Sequence, residues 1–211
     1  MLDNHPLVLI GYSGHAYVVA EAAISAGYKL QYYAEIMAQS ANPYNLEYLG
    51  FDGQEDFVGW GRQYGFILGV GNNINREKIA LRLASRGESI LTIIHPSASV
   101  SLKALIGKGV MISRNVSVNP MAQIADYTIL NTGSIIEHEC IIGRAAHIAP
   151  GAVLSGNVEV GERSFIGANS VIKNGVRIGK NVIVGAGAVV IKNIPDNQII
   201  FGNPAKNKSN E

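Results

Sequence analysis

Residues 130–154 read LNTGSIIEHECIIGRAAHIAPGAVL, and in this stretch Leu130, Ile136, Ile142, Ile148 and Leu154 recur at an interval of six. The interval runs outward without a slip. It begins at Ile94, Val100, Ile106, Ile112, Val118 and Ile124 and continues through Val160, Ile166, Ile172, Ile178, Val184 and Val190. Four residues after each aliphatic position stands a small or β-branched residue, from Ala98 and Ala104 through Cys140 to Ala188. Six is not a multiple of the 3.6-residue helical turn, and the segment is too rich in glycine for a helix. Two inward side chains two apart in every six instead describe a short strand followed by a tight turn. Three such units close one triangular coil, and stacked coils form a parallel β-helix. With strands of successive coils about 4.8 Å apart, five to six coils stand roughly 25–30 Å tall. Glycine is expected at the coil turns.

Outside this region the composition changes. Of fifteen aromatic residues in the 211, twelve lie within residues 1–66, and only Tyr127, Phe165 and Phe201 follow. Such a break places a domain boundary before residue 95. The expected organisation is a first domain over 1–93, the coil over 94–194 and a tail over 195–211. Aliphatic side chains, not rings, suit a narrow triangular core.

In the first domain, Leu7–Ile10 is a short apolar strand, followed by Gly11-Tyr12-Ser13-Gly14-His15 and a helical stretch to Ala26, stopped by Gly27. A second strand fits Leu30–Ala34. Residues 66–68 then run into Gly69-Val70-Gly71-Asn72-Asn73 and a helical pattern over 74–86, stopped by Gly87. Strand, glycine turn and helix, twice, describe a small α/β unit with parallel strands. Glycine turns at strand ends let a backbone approach a phosphate, and a helix N-terminus favours an anion. Gly11-x-x-Gly14 alone is not a full dinucleotide fingerprint. Asn42-Pro43-Tyr44-Asn45-Leu46 reads as a loop.

Seventeen basic and sixteen acidic residues leave a formal charge of +1, so there is no electrostatic footprint for nucleic acid or an anionic membrane. A single cysteine excludes an internal disulfide and fits a reducing compartment. No basic leader and no apolar run of about 20 residues is present, so membrane insertion is not expected and a cytoplasmic location is.

The hexad pattern resembles the hexapeptide repeat of left-handed β-helix acyltransferases, and Gly202-Asn203-Pro204-Ala205-Lys206 is similar to the ending that often follows that coil. With the GxSGH loop on a small Rossmann-like unit and the GNN turn, the whole chain resembles one branch of these enzymes. That branch holds the sialic acid O-acetyltransferases and the UDP-4-amino-sugar N-acetyltransferases of the bacillosamine pathway. The resemblance implies a left-handed coil, a homotrimer, acetyl-CoA between adjacent coils and a nucleotide-sugar substrate. It implies Ser13, Gly14, His15 and Gly71 as nucleotide-binding residues. Relatives carry two aspartates after the second strand; here Glu35 and Ile36 stand there, and the nucleotide is left open.

Acetyl transfer needs a base for the attacking group and a donor for the oxyanion, but no protein nucleophile. By phase, Cys140 is an inward core residue, whereas His138, Glu139 and His147 leave the coil outward. The resemblance implies His138 as general base, with Glu139 orienting its imidazole or strengthening it as a base. It places His147 near the thioester, Asn131 at the acceptor, and the amides around Ala168 and Ala186 along the pantetheine. A metal site from His138, Glu139 and His147 is conceivable on residue types, but the spacing matches no standard zinc motif, and none is expected. His95, at the coil entrance, reads as structural. The expected activity is N-acetylation of a nucleotide-linked 4-amino-4,6-dideoxy sugar. The rivals are O-acetylation of the sialic acid type, a non-catalytic scaffold, and a metal coil of the carbonic anhydrase kind.

Overall fold

The computed structural model describes residues 5–207; the outer ends of the first domain (1–4) and of the tail (208–211) lie outside it. The first unit runs β1 (Leu7–Ile10), α1 (Gly14–Ser25), β2 (Leu30–Ala34), β3 (Glu47–Tyr48), β4 (Gly65–Leu68), α2 (Asn73–Ser85) and β5 (Ser89–Ile90). The five strands are parallel in the order β3-β2-β1-β4-β5. Chain order reverses between β1 and β4, which opens a crevice at the carboxyl ends of those strands. Both β1 and β4 are buried along their length, as a parallel strand covered on two faces must be. One core lies on the α1 side, around Leu7, Leu9, Ala16, Val19 and Tyr33, and the other beneath α2, around Val8, Ile10, Phe66, Ala80 and Leu83.

From Ile93 to Val190 the chain makes two-residue strands every six residues, and each as far as Val171–Ile172 pairs in parallel with the strand one coil, or eighteen residues, later. The strands lie on three sheets, the faces of a triangular prism. Inside it, Ile112, Leu130, Ile136, Cys140, Ile142, Ile148, Leu154 and Ile166 form one continuous apolar column. Ile199–Phe201, expected in the tail, adds a further strand by pairing Ile183 with Ile199. The chain then turns back, and Lys206–Asn207 pairs antiparallel with it.

The corners correct one expectation about glycine. From Gly109 to Gly187 every sixth residue has positive φ, yet these positions include Asn115, Met121, Tyr127, Glu139, Ala145, Asn157, Arg163, Asn169 and Asn181. Many coil glycines instead occupy the position directly after the inward aliphatic residue, where φ is ordinary. A Cβ on Gly143 would lie 2.6 Å from the Glu162 nitrogen, and one on Gly167 2.5 Å from the Val184 oxygen. Close stacking of coils, more than turn conformation, demands glycine there.

The two units share their cores. Ile93, Met111 and Ile129, outward on one face of the prism, join the core around α1. Tyr127 and Ala145 join the core beneath α2. The join is riveted by Arg76, 1% exposed, whose guanidinium donates to carbonyls of both units. Its Nε donates to the Tyr127 oxygen at 2.7 Å, Nη2 to Ala145 at 2.8 Å and Nη1 to Gly71 at 3.0 Å. Beside it, buried Glu77 pairs with Arg144 and Arg163 of the coil at 2.7 and 3.0 Å.

Candidate active site

The crevice at the strand ends is a cleft of about 530 Å³ walled by Gly11, Ser13, Glu35, Ile36, Gly69, Gly71 and the face of α2 from Asn72 to Arg82. Gly11 must be glycine twice over: its φ is +86°, and a Cβ would lie 2.9 Å from Val70 Cγ2. Ser13 precedes α1 in an extended conformation and its hydroxyl does not cap the helix. The first turn carries no acidic side chain, so free amides and the positive end of α1 face the cleft mouth. A Cβ on Gly14 would meet nothing within 4 Å, leaving that approach open. Glu35, just past β2, accepts from the Tyr12 amide at 3.0 Å and the Ile36 amide at 2.9 Å, bracing the glycine loop. Ile36, the next residue, is largely exposed.

Gly71 and Asn72 also line a second hollow of about 360 Å³ against Arg163, Phe165, Asn181 and Ile183 of the coil. Between the units, His15 and His147 face each other with ring centroids 6.0 Å apart. His147 Nε2 lies 3.1 Å from Asn131 Nδ2, and Phe165 stands edge-on to its ring at 5.0 Å. His147 does leave the coil outward, but the α/β unit covers that face and leaves it only 7% exposed. Burial drives its pKa down to about 3 and that of His15 to about 4, with the Arg76 charge pushing both the same way. Both are therefore neutral imidazoles near pH 7, and among the described residues His15 Nε2 has no hydrogen-bond partner.

His138 and Glu139 lie at a different corner of the prism, more than half exposed, with His138 Nδ1 3.2 Å from Glu139 Oε2. Nδ1–H donation to the carboxylate leaves the Nε2 lone pair free. The ring lies over Gly156, where a Cβ would come within 2.5 Å of its Cε1 and Nε2. Glu139 holds φ +61°, a left-handed conformation. Cys140 is fully buried, its thiol donates to the Ser155 carbonyl at 3.3 Å, and burial raises its pKa, all of which suit a core residue.

The structure thus brings the expected residues together in three groups. Ser13, Glu35 and Gly71 share the cleft; His15, Asn131 and His147 meet at the join; His138 and Glu139 stand apart on one chain. Ala168 and Ala186 sit two and three coils on from Thr132, the neighbour of Asn131, and among the described residues neither amide donates to a protein acceptor, while Gly187 N donates to the Ala168 oxygen at 2.8 Å. Sequence reasoning missed Arg76, Gly156, Asp52 and Arg82. Only Gly156 left a signal, a glycine in the middle of a corner. No described helix is long and apolar enough to cross a membrane, and no described group of three His, Cys, Asp or Glu could hold a metal.

Comparison with known proteins agrees with this architecture. Residues 6–83 match the PglD N-terminal domain, and residues 157–192 match the bacterial transferase hexapeptide (six repeats). The acetyltransferase domain of PglB from Neisseria gonorrhoeae FA1090 is 34% identical with a TM-score of 0.92, over 97% of this chain and 100% of that one. A histidine-to-alanine mutant of GDP-perosamine N-acetyl transferase from Caulobacter crescentus, in complex with CoA and GDP-perosamine, is 34% identical, with a TM-score of 0.92 over 99% of each chain. Among curated relatives, GDP-perosamine N-acetyltransferase of Escherichia coli O157:H7 is 34% identical over 93 residues, 44% of this chain. The matched stretch spans 42% of that relative's length. Fold, both sequence units and near-complete overlap converge: the chain belongs to the hexapeptide-repeat N-acetyltransferases that carry a PglD-type N-terminal domain.

Proposed function

We propose that this protein transfers the acetyl group of acetyl-CoA to the amine of a nucleotide-linked 4-amino-4,6-dideoxy sugar. The observation that carries the reading is the near-complete overlap with an enzyme solved with both CoA and GDP-perosamine bound. The α/β unit holds the nucleotide, with Ser13, Gly14 and Gly71 around the phosphates and His15 at the inner end of the cleft. His138 Nε2 removes a proton from the sugar ammonium, and Glu139 holds the Nδ1–H so that Nε2 is the basic nitrogen. The amine then attacks the thioester carbonyl and a backbone amide stabilises the oxyanion; as this collapses the carbon–sulfur bond breaks, the nitrogen loses its second proton to form the amide, and CoA leaves as the protonated thiol. His147 lies beside the thioester, Asn131 beside the acceptor, and the free amides of Ala168 and Ala186 along the pantetheine.

On one chain His138 faces away from the cleft, which supports a homotrimer in which one subunit's cleft meets its neighbour's corner. An outward column of Ile135, Val153, Val171 and Val189 gives such a neighbour an apolar surface. The test is release of the CoA thiol when the protein meets acetyl-CoA and nucleotide-linked 4-amino sugars, with the acetylated sugar identified by mass. Transfer only to sugars with a hydroxyl acceptor would overturn the N-acetyl assignment.

A further inference from the structure

The cleft has two unlike ends. One is made of amides and glycines: Gly11, Ser13 and the turn from Gly69 to Asn72. The other lies about 15 Å along α2, ten residues at 1.5 Å each, where Phe51, Asp52, Ile79 and Arg82 meet. Asp52 is 3% exposed and paired with Arg82. Arg82 gives one Nη to Asp52, and a third of its side chain is exposed on the cleft wall. Lys78 is on the same wall, and Ile36 and Ile79 supply apolar surface. Glu35 stands between the ends. Each of its oxygens takes one backbone amide, which leaves lone pairs to accept from ribose hydroxyls.

A base at the far end therefore meets apolar side chains on its faces, and on its edge a carboxylate flanked by donors. Of the common bases, guanine alone offers two adjacent donors, N1–H and the 2-amino group, next to an acceptor, O6. Uracil and thymine put one N–H between two carbonyl oxygens, one of which would face the carboxylate. Resting on the nucleotide-sugar reading, we propose that this end of the cleft selects a guanine nucleotide. Asp52 accepts from N1–H and the 2-amino group, and the exposed part of the Arg82 guanidinium with Lys78 donates toward O6.

The test is calorimetric titration of the full-length protein with GDP, IDP and UDP. IDP differs from GDP only in lacking the 2-amino group. GDP is expected to bind about tenfold more tightly than IDP and about a hundredfold more tightly than UDP. Asp52→Asn replaces one acceptor by a donor. It should lose GDP by about a hundredfold and gain the diphosphate of xanthosine, whose C2 oxygen accepts from the new amide. Equal binding of GDP, IDP and UDP would overturn the proposal and leave the Asp52–Arg82 pair as a clamp between α2 and the Phe51 loop. UDP binding as tightly as GDP would overturn it too. Failure to bind any of the three would instead overturn the nucleotide-sugar reading beneath it. The IDP comparison needs no substitution, so an Asp52→Asn protein that does not fold leaves the proposal open to refutation.

Discussion

His138 and His147 lie nine residues apart on the same prism, and both point away from its core. One stands in water beside a carboxylate; the other is sealed beneath a second layer of protein, next to Arg76 and His15. The hexad phase says which side chains leave the coil. It does not say what waits outside. At the exposed corner a side chain can be chosen for chemistry at little structural risk. At the join, every polar atom is also part of the interface between the two units.

The sharpest way to break this contrast is at the corner. His138→Ala should lower turnover by about 10²–10⁴-fold, while the exposed side chain's loss leaves the melting temperature within error. Steady-state kinetics beside a melting curve decides it, and a large fall in stability would show that the corner is structural after all. The join should behave in the opposite way. Arg76→Leu leaves several buried carbonyls of both units without a donor, a loss on the order of 3 kcal/mol or more in urea unfolding.

Titration gives a third test of the same contrast. His15 and His147 have folded-state values of about 4 and 3, below the ordinary 6.5. The unfolded chain therefore binds protons first as pH falls, and the native state loses stability from about pH 6.5 down toward 4. Melting temperatures across that window should fall, and His147→Asn should make the fall shallower.

Two smaller effects belong to the corner. Gly156→Ala pushes a methyl into the His138 ring, which can swing aside at little structural cost; kcat should drop about tenfold. Glu139→Gly relieves a left-handed backbone and should gain up to about 1 kcal/mol of stability, yet lower kcat by removing the group that orients His138. A gain in both would remove Glu139 from the chemistry.

Most of the fold was legible because it is local and repeated: the six-residue interval defines strand, turn and inward face at once, and the glycine turns punctuate β1–α1 and β4–α2. Glu47–Tyr48 carried too few residues to show a pattern. The site was legible only where phase sufficed, as with outward His138 and inward Cys140. Arg76 was hidden because its partners, Tyr127 and Ala145, lie 51 and 69 residues away, across a contact between units with unrelated periods. Asp52 and Arg82, thirty residues apart within the α/β unit, were hidden because no local pattern ties a loop residue to one face of a helix.

A six-residue repeat contains no instruction about how many times to repeat. Each coil ends in a layer of open backbone groups that would accept another coil, from the same chain or from a stranger. Here, on one of the three faces, the last layer is taken up by Ile199–Phe201 and then by a strand running the wrong way for the lattice, Lys206–Asn207. On that face those few residues act as a terminator, denying a neighbouring molecule the edge on which a fibre could start.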